Sequence, residues 1–143
     1  MMIIKTFFIC AAAIAALSGC MTPGASGNAP SEVPVSRIFI KEMTAPEAGP
    51  NQVIFIRDPG MRGGNNLLQV GVNYVALADL QPGETISAWL PDGAFTFTVK
   101  PNPNPENLTR LGAIDLTLSG GKKHIVRVGG NVYGTTIEEI GAR

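Results

Sequence analysis

The chain has 143 residues and is formally neutral, with 11 Lys and Arg against 11 Asp and Glu. No basic run exceeds the pair Lys122-Lys123, which excludes a nucleic-acid partner and a polybasic membrane patch. One histidine and two cysteines offer no metal-ligand spacing, and no cofactor motif is present, so neither a metal nor a cofactor is expected.

The chain opens on MMIIKTFFICAAAIAALSGC. Lys5 supplies an early positive charge, and Thr6 to Leu17 then run uncharged. That stretch is far shorter than the roughly 20 apolar residues a helix needs to cross a bilayer. A basic start, a short apolar run and small residues at its exit predict a signal peptide over 1–19. A buried core helix fits less well, because FFICAAAIAAL has no polar stripe to turn toward water.

Leu17-Ser18-Gly19-Cys20 resembles, position by position, the lipobox of bacterial lipoproteins. The resemblance implies that Cys20 is alkylated by a diacylglyceryl group and becomes the N-terminus after cleavage. It further implies that the new amino group takes an acyl chain such as palmitate. Cysteine usage agrees, since cleavage before Cys20 removes Cys10 and leaves a single thiol with no disulfide partner. One fatty chain holds a protein only marginally, at about 0.8 kcal/mol per buried methylene, whereas two or three hold it durably. Met21 follows the cysteine in place of the aspartate that retains such proteins in the inner membrane. The expected location is therefore the cell envelope, at the periplasmic face of the outer membrane.

Residues 20–35 (CMTPGASGNAPSEVPV) are rich in Pro, Gly, Ser and Ala and read as the lipidated end plus a flexible tether. Residues 36–143 are one domain by length. RIFIKEM (37–43) alternates weakly, and QVIFIRD (52–58) is apolar on both faces, as a central strand is. LLQVGV (67–72) and YVALADL (74–80) follow, with a turn at QPGE. ETISAWL-PDG-AFTFTVK reads as a hairpin: Ile86, Ala88 and Leu90 share one face, as do Phe95, Phe97 and Val99. GAIDLTL-SGG-KKHIVRV reads as a second hairpin, and YGTTIEEI closes the domain. Seven or eight short strands with no helix between them predict an all-β, small antiparallel β-sandwich.

The runs NQVIFIRDP, VALADLQPGETISAWLPDGAFTFTV and IDLTLSGGKKHIVRV resemble the DUF2846 group of bacterial envelope lipoproteins and the related PEGA-type modules. The shared features are Arg57-Asp58-Pro59, Leu80-Gln81-Pro82-Gly83, Pro91-Asp92-Gly93 and Leu118-Ser119-Gly120-Gly121. Two departures stand out, Val72-Asn73-Tyr74 in place of an Asp-Gly or Asn-Gly turn, and a longer insert, PNPNPENLTRL. The resemblance implies a prealbumin-like sandwich on a lipid tether and carries no activity with it.

Candidate chemistry is sparse. Ser119, His124 and Asp115 lie near one another in sequence, but a triad is defined by geometry, and these read as a turn residue and strand residues. Glu138 and Glu139 are adjacent on a strand, so they point to opposite faces and cannot share a substrate atom. RDPGMRGGNN (57–66) holds Arg57, Arg62 and Asn65 among glycines whose backbone N–H groups suit an anion-binding nest. Trp89 lies on the face opposite Ile86, Ala88 and Leu90 and offers an outward anchor. The alternative for each is a solvated loop and a covered side chain.

The expected function is non-enzymatic: a membrane-anchored lipoprotein contacting an envelope protein or the cell wall through residues 57–66, 101–111 and Trp89. The alternative is a carrier or sensor of a small amphiphile between the sheets, which needs an apolar cavity of several hundred Å³ or so.

Overall fold

The structure is a computed structural model and describes residues 29–59, 66–104, 110–131 and 134–143. Nine strands lie among the described residues: β1 (Ser31–Glu32), β2 (Asn51–Arg57), β3 (Leu67–Val72), β4 (Val75–Leu80), β5 (Glu84–Leu90), β6 (Gly93–Asn102), β7 (Gly112–Leu118), β8 (Lys123–Asn131) and β9 (Gly134–Ala142). They form two sheets, one in the order β1-β5-β2-β8-β9 and the other β4-β3-β6-β7. The fold is the expected all-β sandwich, with slightly more strands than the sequence suggests. Pairing is antiparallel except for β1 with β5 and β2 with β8.

The core follows from strand parity. In β2 and β5 every second residue is buried, so Val53 and Phe55 face inward beside Ile86, Ala88 and Leu90. Val70, Phe97, Val99 and Leu118 meet them from the second sheet. Phe55 and Phe97 join the layers edge to face, with ring centroids 5.7 Å apart. β2 is the central strand of its sheet, as its two-faced apolar run predicts.

Three readings are corrected. RIFIKEM is not a strand: single-turn 3₁₀ helices at Val35–Arg37 and Lys41–Thr44 flank Ile38, which makes an isolated bridge to Ala78. Its weak alternation instead reflects Ile38, Ile40 and Met43 packing on the core from a coiled path. The tether ends before residue 35, because Ser31–Glu32 pairs with β5 and Val33 is buried in the core. Most consequentially, neither expected hairpin exists. Pro91-Asp92-Gly93 carries the chain from β5 in one sheet to β6 in the other, and the Ser-Gly-Gly turn carries it from β7 back to β8. The strand pairs joined in sequence within a sheet are β3 with β4, β6 with β7 and β8 with β9.

Candidate functional site

Cys20, Arg62 and Asn65 lie outside the described residues. Arg57 does not: it ends β2 on the inward parity, is 5 % exposed, and its Nη1 donates to the carbonyls of Asn66 (2.7 Å) and Leu80. Burial lowers its pKa from the ordinary arginine value, against the pull of Glu84. Arg57 thus ties the ends of β2, β3 and β4 together. It also lines a cleft of about 80 Å³ with Asp58, Arg127, Gly129, Gly130 and Thr136. The charges of Asp58 and Glu138 already engage Arg127 there, at 3.4 and 3.6 Å.

Beside Arg57 stands a second charged pair. Arg37 donates to both carboxylate oxygens of Glu84, at 2.7 Å to Oε2, and to the carbonyl of Asp79 at 3.0 Å. The Gln81 amide donates to the same Oε2 at 2.7 Å. Burial alone would raise the Glu84 carboxyl. The Arg37 and Gln81 hydrogen bonds and the charges of Arg37 and Arg57 outweigh it and hold Glu84 below the usual glutamate range. The Arg37 pKa rises for the reciprocal reason, chiefly its hydrogen bond to Glu84.

Trp89 is half-buried on the outer face of its sheet, across from Gln52, with Ile54, Ile56 and Ile125 on the same face by register. His124 is on the inward face and 6 % exposed. Its Nδ1 lies 2.6 Å from Glu139 Oε1, which assigns the Nδ1 proton, while its Nε2 is buried with no hydrogen-bond partner. Asp115 is not beside it: that carboxylate accepts from the Thr96 hydroxyl in the other sheet. Glu138 and Glu139 point apart, the first toward Arg127 outside and the second toward His124. Among the described residues no three His, Cys, Asp or Glu side chains gather into a metal-holding group.

A second opening, larger than that cleft, was not anticipated from sequence. It is a groove of about 240 Å³ across the outer face of the β4-β3-β6-β7 sheet, its floor laid by Gly71 and Thr98, its walls by Gln69, Lys100, Tyr74 and Leu111. A register slip between Val70 and Gly71 lies at its floor. Val70 faces Ala78 but Gly71 faces Ala76, so β4 holds Leu77 as an extra residue, wholly buried. Gly71 then sits so close to β4 and β6 that a Cβ there would lie 2.8 Å from the Val75 carbonyl oxygen and 2.7 Å from Thr98 Oγ1. The missing side chain is what permits this close approach. A glycine inside the strand pattern LLQVGV was the available signal, since such a glycine marks a bulge or a close backbone approach.

Tyr74 stands over the trench at the tip of the β3-β4 hairpin, 71 % exposed. Asn73 and Tyr74 have φ of 49° and 65°, the two positive values that a two-residue turn of this kind requires. Asn73 recovers the cost through its own amide, which donates to Thr96 O at 2.7 Å, and its side-chain oxygen, which accepts from Thr96 N at 3.0 Å.

No protein-family model matches the chain, and no curated protein matches it either.

Proposed function

We propose that the protein is a lipid-anchored envelope lipoprotein, held by Cys20 at the periplasmic face of the outer membrane, with a non-enzymatic sandwich that contacts a wall or protein partner. The observation that carries the anchor is LSGC at the end of a short apolar run, with Cys20 the only thiol left after cleavage. The stretch from Met21 to Pro30, rich in Pro, Gly, Ser and Ala, has the composition of a spacer between the lipid and β1. Contact at the surface is favoured over an amphiphile held inside, because the Phe55, Phe97 and Phe95 rings pack on one another and the groove over Gly71 opens outward. The turn motifs shared with DUF2846-type lipoproteins support the same reading.

The test is mass spectrometry of the N-terminal peptide together with membrane fractionation, for the natural chain and Cys20→Ser. The natural chain should begin at lipid-bearing Cys20 and pellet with membranes, while Cys20→Ser stays uncut and lipid-free. Identical processing and membrane retention of the two would overturn the anchor.

A further inference from the structure

We infer that the groove over Gly71 binds an acidic saccharide, one sugar ring bearing a carboxylate. This deepens the cell-wall reading above and rests on it only for the choice of probe.

Three features of the groove ask for a ligand. Thr98 lies on the floor at 5 % exposure, and its hydroxyl makes no hydrogen bond among the described residues while keeping accessible surface in the groove. A hydroxyl so placed is available to donate to, or accept from, a molecule seated in the groove. Lys100 stands on the wall with no ion pair among the described residues, and it is the one charged side chain among the described lining residues. Nearby Asp79 is held by Gln69 Nε2 at 3.3 Å and Asn102 Nδ2 at 2.8 Å, which leaves Gln69 Oε1 free to accept. The third feature is Tyr74. A bulky residue at positive φ is an outlier, and here no hydrogen bond offsets it, in contrast to Asn73. Glycine in that place would relax the turn. What tyrosine adds is an exposed flat ring beside the trench.

The combination fixes the ligand class. An aromatic face suits the apolar side of a sugar ring, the Thr98 hydroxyl and Gln69 carbonyl suit ring hydroxyls, and the Lys100 ammonium suits a carboxylate. The volume, about 240 Å³, is below the roughly 300–1,000 Å³ of sites for drug-sized ligands, so a single ring with a substituent is the right scale. An extended peptide fits poorly. Such peptides add to a free strand edge, whereas β3 is paired on both sides beneath this groove.

The experiment is an NMR titration of the lipidated full chain in detergent with N-acetylmuramic acid and with N-acetylglucosamine, which lacks only the acidic lactyl group. The amides of Gly71, Tyr74, Thr98 and Lys100 should shift saturably with the acid and at least threefold more weakly with the neutral sugar. Lys100→Gln should remove that preference while leaving the fold unchanged. Tyr74→Gly should abolish binding of both sugars yet raise Tm by roughly 4 °C, because it relieves the turn. Shifts scattered over the surface, equal titration by both sugars, or full binding by Tyr74→Gly would each overturn the proposal. A chain that titrates as stated but fails to pellet with membranes would sink the anchor and leave the groove standing.

Discussion

Glu84 begins β5 nearly out of water, and its charge is tolerable only because Arg37 and the Gln81 amide meet it. The sign of its contribution is set by a folded pKa depressed below the unfolded value of about 4.3. That stability is fully present above the unfolded pKa and disappears as pH falls through the folded one. Glu84→Gln should therefore cost about 2 kcal/mol at pH 7 and flatten the acid limb of a stability–pH curve measured by urea unfolding. An unchanged acid limb would mean the pair contributes nothing. Arg57 shows how much of a residue's role parity alone reveals. Read as the first residue of a glycine-rich loop, it belongs to a surface; counted as the next inward position after Val53 and Phe55, it belongs inside. The count prevails because β2 is hydrogen-bonded to β8 through Arg57 itself. His124 follows the same logic, yet its Glu139 partner was beyond reach from sequence, since it depends on the slip between Ile125 and Val126 that realigns β9.

Between elements, the tightest approach at a described glycine is at Gly49, where the chain passes over the end of β5. A Cβ at Gly49 would lie 2.1 Å from the Leu90 carbonyl carbon, a backbone atom that cannot step aside. Its φ of 173° is ordinary extended backbone, so crowding alone demands glycine. Gly49→Ala should cost about 3 kcal/mol, read as a lowered urea midpoint; a loss under about 1 kcal/mol would show that the Pro46–Ala48 turn moves away freely. At this scale the sequence was legible in part. Strand positions from β2 to β8 followed from apolar runs between turns, and the inward faces of β5 and β6 from alternation, because burial on one face imposes a period of two. Strand partners did not follow. Pro-Asp-Gly and Ser-Gly-Gly reverse the chain equally well within a sheet or across the roughly 10 Å between sheets. The choice is made by distant segments, as when β5 takes β2 beside it, pairing Ile86 with Phe55. The groove depends on two such unseen partners of β3, which is why only its glycine left a trace in the sequence.

At the level of the whole molecule the two sheets are thoroughly interleaved. One draws on β1, β2, β5, β8 and β9 and the other on β3, β4, β6 and β7, so no contiguous fragment contains one complete layer without strands of the other. A chain ending at Gly121 would lose β8 and β9 and expose one whole side of β2. Such a chain should show no cooperative thermal transition by circular dichroism, and a sharp melt would mean the first seven strands stand alone. The parallel pairing of β2 with β8 has a consequence in time as well as in space. A polypeptide emerging N-terminus first, from a ribosome or a translocation pore, releases Val53 and Phe55 long before Lys123 arrives to complete their strand's surroundings. Until then its stickiest segment has an open flank, so folding must await near-complete emergence, and whatever escorts the newborn chain has that interval in which to shield it.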